Sequence, residues 1–340
     1  MNIVCSICIA NYNGIGLIDE CLSSVHAQTF SSPIEIIVHD DASTDRSVQH
    51  IHENYPDVLL IESKENVGFC AANNRMVAAA QGQYLLLLNN DATLLPDALA
   101  VLHREAARSV RPAILSLPQN DAETNNLLDI GNWLDPFLNP VPNIDPRRRE
   151  VAMVMGACLW LPKLLWDELG GFPEWFGSIG EDLYLCCRAR LAGYPIMVPA
   201  GSGYLHHVGK SFGGGKVMKG RLNTTFQRRA KSERNKTFAM ILIYPIFPLL
   251  IVLPVHLLLL FVEGILLSLL KRNRDFLAVT YFPVFLALAQ KRRSLLKLRK
   301  EVQNNRKTSS INFFRLFSFI PHKLTLLIKY GLPQVERDPR

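Results

Sequence analysis

The sequence predicts an α/β fold, a mostly parallel central sheet flanked by helices, followed by a C-terminal helical membrane-associating region. Three observations support this. Strand-like apolar runs alternate with helix-like segments over residues 1–210, the pattern of a parallel sheet covered on its faces. Acid-rich or Asn-rich clusters follow the apolar runs, where the carboxyl ends of parallel strands place ligands. Beyond residue 237 a long uncharged stretch replaces the alternation.

In chain order, Val4 to Ala10 reads as a buried strand, Ile15 to Ala27 as a helix, and Ile34 to Val38 as a second strand ending in His39-Asp40-Asp41. Val58 to Ile61 is the next strand and Asn73 to Gln81 a helix; Tyr84 to Leu88 is an apolar strand stopping at Asn89-Asn90-Asp91. Six prolines between residues 112 and 150 break the periodicity, so irregular excursions are expected there. Val151 to Leu161 resumes a buried strand, Lys163 to Leu169 a short helix closed by Gly170-Gly171, Asp182 to Ala192 a helix, and Pro195 to Val198 a strand.

Phe238 to Val262 is 25 residues without a formal charge, more than the roughly 20 needed to cross a bilayer. Pro245, Pro248 and Pro254 interrupt it, which points to a kinked span or a re-entrant hairpin; a buried helical hairpin is the soluble alternative. Both flanks are basic, which suits an arrangement with both on the cytoplasmic side. Phe276 to Gln290, followed by Lys291-Arg292-Arg293 and Lys297 to Lys300, resembles an interfacial helix with its basic residues at headgroups. The expected division is therefore a domain at 1–210, a basic linker or lid at 211–237 carrying Gly213-Gly214-Gly215, membrane-associating helices at 238–290 and a basic tail at 291–340.

Net charge sharpens this division. Residues 1–206 hold 12 Lys and Arg against 24 Asp and Glu, whereas residues 207–340 hold 25 against 6. A basic half of this kind meets an anionic surface, and its apolar content favours a membrane over nucleic acid. Hydrophobic residues at 49% exclude a largely disordered chain. Seven cysteines, with only Cys5-x-x-Cys8 at close spacing, indicate neither a disulfide framework nor a zinc ribbon and favour a reducing compartment. No signal peptide is expected from the first residues.

Three clusters carry the chemistry: His39 to Asp45, Asn89-Asn90-Asp91 and Glu181-Asp182. Asp and Asn are ordinary turn and cap residues, so each cluster taken alone reads more readily as structure than as chemistry. A carboxylate at the end of the second strand, Asp40 or Asp41, can accept from the N3–H of uracil or thymine. Asp91 after the apolar strand can hold a divalent cation that shares diphosphate oxygens and water. Asp182 can remove a proton from an acceptor hydroxyl.

Five motifs in this order resemble the family 2 glycosyltransferases of the GT-A nucleotide-diphospho-sugar transferase fold, particularly their rhamnosyltransferase-like branch. They are Ile9 to Gly14, Asp40 to Asp45, Asn66 to Asn74, Leu88 to Ala92, and Gly170-Gly171-Phe172 with Gly180 to Arg188. The resemblance implies a nucleotide site at Ala10, Tyr12, Asp40, Asp41, Asn66, Gly68, Asn74 and Asn90. It implies a Mn²⁺ or Mg²⁺ site at Asp91, with His206 favoured over His207, and a general base at Asp182 or, second to it, Glu181. The family's first metal-motif carboxylate is replaced here by Asn89. Arg188 is given no catalytic part and is read as a surface or salt-bridge residue; Trp175, Phe176 and the Trp133 loop are read as an acceptor platform or as core.

The implied activity is inverting transfer of a sugar, with rhamnose suggested, from a dTDP- or UDP-sugar to a hydroxyl of a lipid-linked or cell-surface glycan. Such an enzyme of cell-wall or polysaccharide biosynthesis works at the cytoplasmic face of the membrane and takes no nucleic acid partner. A dehydrogenase reading fails because Gly14-Ile15-Gly16 is followed by Asp19 where a third glycine belongs. A non-catalytic, membrane-tethered sugar-nucleotide-binding partner is the remaining alternative, supported by Asn89 alone.

Overall fold

A computed structural model describes residues 2–209, 214–218 and 221–336. Two units divide the chain: residues 1–132, 142–189 and 194–211, and residues 133–141, 190–193 and 212–340. Residues 133–141 and 190–193, within the expected 1–210 domain, thus cluster with the second unit.

The first unit begins Cys5–Asn11 (β1), Ile18–His26 (α1), Ile34–Asp40 (β2), Ser47–Asn54 (α2), Leu59–Glu62 (β3), Phe69–Ala79 (α3) and Tyr84–Asn89 (β4). β1 lies parallel to β2 and β4, in register from Cys5 opposite Ile34 and Tyr84, and β2 lies parallel to β3. Ile7, Ile9, Leu86 and Leu88 pack against Ile18 and Leu22 of α1 in one core, each large apolar side chain contributing about 1.5–3 kcal/mol through burial. The free thiols of Cys5 and Cys8 are both fully buried in the sheet, and burial pushes both well above the usual range.

α3 starts four residues earlier than the apolar periodicity suggests. Gly68 at φ +86° turns the chain into the helix, a conformation that glycine takes without strain. α2 also escapes the sequence reading, because its one turn of apolar character is Ile51.

Next come Ala92–Leu94 (β5), Ala98–Arg108 (α4), Ile114–Leu115 (β6), Gln119–Asp121 (β7), Leu127–Asp129 (β8), Asn132–Leu134 (β9) and Pro140–Pro142 (β10). The expected irregular segment thus holds short strands between its prolines. Cys158–Pro162 (β11), Lys163–Leu169 (α5), Glu181–Leu191 (α6), Ile196–Met197 (β12) and Tyr204–His206 (β13) follow. The expected strand at 151–161 begins only at Cys158. The main sheet runs β12-β6-β11-β4-β1-β2-β3, with β11 antiparallel to β4, and a second sheet runs β5-β13-β7-β8.

In the second unit, Gly214–Met218 (β14) pairs antiparallel with Arg221–Thr225 (β15), which leads into Phe226–Ile243 (α7). Lys210 and Gly213 of the expected lid lie outside the described residues, as do residues 337–340 of the expected tail. The long apolar run breaks at Tyr244-Pro245, with its first part the buried end of α7 and its remainder Ile246–Leu270 (α8). Pro248 sits in the first turn of α8, where its missing N–H costs nothing, and the helix continues through Pro254. Among the described residues α8 is the one helix long and apolar enough to cross a membrane.

A π-helical turn at Phe276–Tyr281 leads into Phe282–Asn304 (α9), then Ser310–Phe314 (α10), His322–Tyr330 (α11) and Gln334–Glu336 (β16), so the expected basic tail is structured. Arg299, expected at a headgroup, instead donates to the carbonyls of Ile241 and Tyr244 at the end of α7, where unsatisfied carbonyls and the helix dipole favour a cation.

Candidate active site

The ends of β1, β2 and β4 are tied by a buried chain of amides and carboxylates. Asn90 Nδ2 donates to Asn11 Oδ1 at 2.8 Å, and Asn11 Nδ2 donates to Asp40 Oδ2 at 2.8 Å and to Ser47 Oγ at 3.0 Å. Gly14 passes so close that a Cβ would stand 2.1 Å from Asn11 Oδ1 and 2.4 Å from Asn90 Nδ2; any side chain there breaks the junction. Asn13 and Asp45 then lace the two loops together, Asn13 Oδ1 accepting from Thr44 N–H and Asp45 Oδ2 from Ile15 N–H.

Asp40 and Asp41, equivalent candidates in the sequence, differ in their surroundings. Asp40 accepts from Asn11, from Ser43 N–H at 2.8 Å and from Ser43 Oγ at 2.7 Å. Its carboxylate caps the loop through these bonds. Asp41 accepts Val67 N–H at 2.7 Å on one oxygen and Gly68 N–H at 2.9 Å on the other, which anchors the start of α3 to the end of β2. A carboxylate offers about four lone-pair sites, so these two bonds leave it acceptor capacity.

Ala10, next to last in β1, is half-buried, Tyr12 is 52% exposed beyond the strand, and Asn66 is exposed. The Asn74 amide meets the backbone of Phe172, donating to the carbonyl at 2.9 Å and accepting from the N–H at 3.2 Å. That clamp, together with Cys70 N–H donating to Gly177 O, docks the 172–180 loop on the start of α3.

β13 runs antiparallel to β5 with His206 opposite Ala92, so the register delivers His206 to Asp91. His206 Nε2 stands 3.1 Å from Asp91 Oδ1, and both side chains are buried. The Nδ1 of His206 is buried without a hydrogen-bond partner. His207, one position off the register, turns to Glu20 at 3.3 Å. A carboxylate oxygen beside an imidazole nitrogen suits Mn²⁺ or Mg²⁺. No group of three or more His, Cys, Asp or Glu forms a metal site among the described residues. The pair therefore fits a cation that completes its shell with donor phosphate oxygens and water.

Asp182 enters from α6. Gly156 N–H donates to its Oδ2 at 3.0 Å and Leu183 N–H to its Oδ1 at 2.7 Å. The neighbouring Ala157 carbonyl accepts from Asn89 N–H. Asp182 is thereby held beside the same strand end that leads to Asp91. Glu181, its neighbour, is also buried. Arg188 is not the expected surface residue: it is 5% exposed, and its guanidinium donates to the Tyr184 hydroxyl at 2.8 Å. Phe176 is core, and half-buried Trp175 packs on it edge-on at 4.8 Å.

Sequence reading missed Asn11, Gly156 and Asp129. Asn11 carried a signal, an amide within the first motif, whereas a glycine in the apolar run around 156 shows nothing of a contact 26 residues away. Asp129 ends β8; burial pushes its carboxyl up to about 6, despite the Gly131 N–H and His206, which lower it.

Residues 6–153 match the model of the family described as Glycosyl transferase family 2. The N-acetylglucosaminyl-diphospho-decaprenol L-rhamnosyltransferase of Mycobacterium tuberculosis is 25% identical over 211 residues, covering 53% of this chain and 69% of that protein. Among solved structures, GalNAc-T7 with UDP, GalNAc and Mn²⁺ superposes at a TM-score of 0.58 with 15% identity, over 71% of this chain and 48% of that one. S. aureus TarS 1-349 with UDP does so at 0.51 with 16% identity, over 92% of both. These likenesses establish a GT-A fold. Strand order, motif order and family match agree: over residues 6–153 the amino-terminal unit is similar to glycosyl transferase family 2.

Proposed function

We propose that the protein transfers a sugar, with inversion at the anomeric carbon, from a nucleoside-diphosphate sugar to a hydroxyl of a lipid-linked or cell-surface glycan precursor, and that the sugar is rhamnose. The observation that carries this reading is the convergence of Asp182 and the Asp91–His206 pair on one end of β4. The Asp182 carboxylate takes the proton of the acceptor hydroxyl as that oxygen bonds to the anomeric carbon. The bond from that carbon to the diphosphate breaks in the same displacement, and the electron pair leaves on the diphosphate. Gly156 N–H keeps the carboxylate aimed through the step. Asp41 and Tyr12 hold the base, with Ala10, Asn66, Gly68 and Asn90 around the nucleotide. A divalent cation held by Asp91 and His206 would neutralise charge on the departing diphosphate.

Support for rhamnose and for a lipid-linked acceptor comes from the mycobacterial relative's name. The apolar, largely exposed α8 supports work at the cytoplasmic face of a membrane. The test is release of nucleoside diphosphate from UDP-, dTDP- and GDP-sugars with a polyprenyl-diphosphate-linked acceptor, in Mn²⁺, Mg²⁺ or chelator. Metal-dependent turnover with dTDP-rhamnose is expected. Turnover with another sugar alone would overturn the rhamnose assignment, and a protein binding donor without turnover would favour the non-catalytic partner.

A further inference from the structure

α8 is long and apolar enough to cross a membrane, yet its two faces differ. Leu249, His256, Leu260, Gly264 and Leu267 are buried. On the opposite side of the helix, Phe247, Ile251, Leu258, Val262 and Leu269 are exposed, Leu258 by 62% and Leu269 by 69%. The buried side is occupied by polar and charged groups of the same unit. His256 Nε2 stands 2.9 Å from Thr237 Oγ1 of α7. Glu263 pairs with Arg229 of α7 and, at 2.9 Å, with Lys323 of α11; Lys323 also reaches Glu233 of α7 at 2.7 Å. Arg229, Glu233, Lys236, His256, Glu263 and Lys323 line a cavity of about 720 Å³ behind α8. Further along, Gly264 packs on the π-helical turn, where a Cβ would stand 2.8 Å from Leu277.

These contacts decide how the helix can meet lipid. At 1.5 Å per residue α8 is about 37 Å long. A hydrocarbon core of about 30 Å centred on it would hold His256 near the midplane and Glu263 about 8 Å away. The ion pairs would fix Arg229, Lys323 and Glu233 at that depth too, so a span would take parts of α7 and α11 into lipid. α7 carries Arg228, Arg229, Lys231, Glu233, Arg234 and Lys236 in close succession, and charges at bilayer depth are costly. A helix lying flat sinks only about 5–10 Å, no more than its own diameter of about 10 Å, so its charged side stays out of the hydrocarbon. Exposed cations stand at both ends of α8: Lys271, Arg272 and Arg274 follow its last turn, while Lys300 and Arg306 line a pocket with Ile246, its first residue. Lying flat brings both ends to one layer of headgroups, whereas a span would force one basic end across the membrane. Residues 207–340 hold 25 basic against 6 acidic residues, so a second copy would meet this unit with like charge and an anionic leaflet with opposite charge.

We propose that α8 lies flat in one leaflet of an anionic bilayer and does not cross it, with the stripe from Phe247 to Leu269 among the acyl chains and the cations at its two ends on the headgroups. This orientation rests on the reading of a protein at work on a membrane, and a depth profile along the helix separates failure of the orientation from failure of that reading.

The experiment reconstitutes the full chain, by detergent removal, into vesicles of equal parts phosphatidylcholine and phosphatidylglycerol, with a fluorophore at Phe247→Cys, Leu258→Cys or Leu269→Cys. The native cysteines are all buried, so the introduced thiol takes the label. Lipids brominated at successive acyl positions quench each label according to its depth. All three labels are expected at one depth, about 5–10 Å below the headgroups. Leu258 roughly 16 Å deeper than the other two would overturn the flat orientation and keep the membrane. No quenching at any position would overturn both, and a dimer with the labels shielded from lipid would give the stripe to a second copy. Ile251→Cys and Val262→Cys, on the same stripe, repeat the reading where a label disturbs the fold. Vesicles of phosphatidylcholine alone are expected to bind the protein at least tenfold more weakly in co-sedimentation; equal binding would overturn the part given to the terminal cations.

Discussion

The two units differ in what they keep beside their apolar cores. In the first, apolar strands are sealed inside and the buried polar groups at the strand ends are tied to one another, as in the chain Asn90–Asn11–Asp40. In the second, Glu233, Lys236 and the Arg229–Glu263 pair are inside, while Phe247 on α8 is 78% exposed and Ile251 70%. Burial alone would push the Glu233 carboxyl up, but Lys236, Lys323 and Arg229 hold it far below the carboxylate range. An apolar outside over a charged inside is costly in water and favourable against lipid. The first unit thus keeps its apolar surface inside, whereas the second leaves an apolar helix face exposed.

The sharpest break of that comparison is chemical. Asp182→Asn keeps the hydrogen-bonding shape but has no basic oxygen, so transfer falls about 10²–10⁴-fold while donor affinity, measured by calorimetry, stays near the parent's. Asp91→Ala lowers turnover and abolishes its dependence on Mn²⁺; retained metal dependence would move the cation elsewhere.

In the second unit the large effect is on stability. Glu233→Gln takes the carboxylate from Lys236, leaves Lys323 with Glu263 as its acid, and costs about 3–5 kcal/mol, read as a lowered melting temperature.

A smaller effect of opposite sign belongs to Asp129. Its folded value of about 6 lies above the ordinary 3.8. The folded state therefore holds the proton more tightly, and the stability present at low pH is lost as pH rises from about 4 to 6. Asp129→Asn removes the cost of the buried charge and stabilises by ~2 kcal/mol above pH 6, the gain vanishing towards pH 4. Denaturant melts at pH 4 and pH 7.5 read the difference, and equal gains at both would refute the linkage.

The smallest effect tests the exposed face. Phe247→Asp with Ile251→Asp should weaken co-sedimentation with anionic vesicles about tenfold, or ~1.4 kcal/mol, leaving turnover on a water-soluble acceptor unchanged. Undiminished sedimentation would assign membrane contact to another surface.

Much of the first unit was legible because strands β1, β2 and β4 are nearly continuous apolar runs, which local periodicity reports. Asp91 and Asp182 were legible through motif order. The divergence of Asp40 from Asp41 was not, since adjacent residues with the same side chain differ only in which backbone N–H groups lie opposite. The clamp made by Asn74 was not legible for a related reason: its amide meets Phe172, 98 residues away. In the second unit, hydrophobicity reported the long apolar run and its prolines an interruption, but not which proline separates two helices or that the tail is structured, because the ion pairs that hold α7, α8 and α11 join residues up to 90 positions apart.

From the sequence alone came the α/β alternation, the carboxylates at strand ends and the apolar stretch near the carboxyl end, all properties of near neighbours along the chain. Tertiary structure alone decided that the His206 ring reaches the Asp91 carboxylate while the His207 ring turns to Glu20, that Gly156 aims Asp182, and that a charged cavity lies behind α8. Each of these depends on strand register or helix packing, where a shift of one residue turns a side chain to the other face.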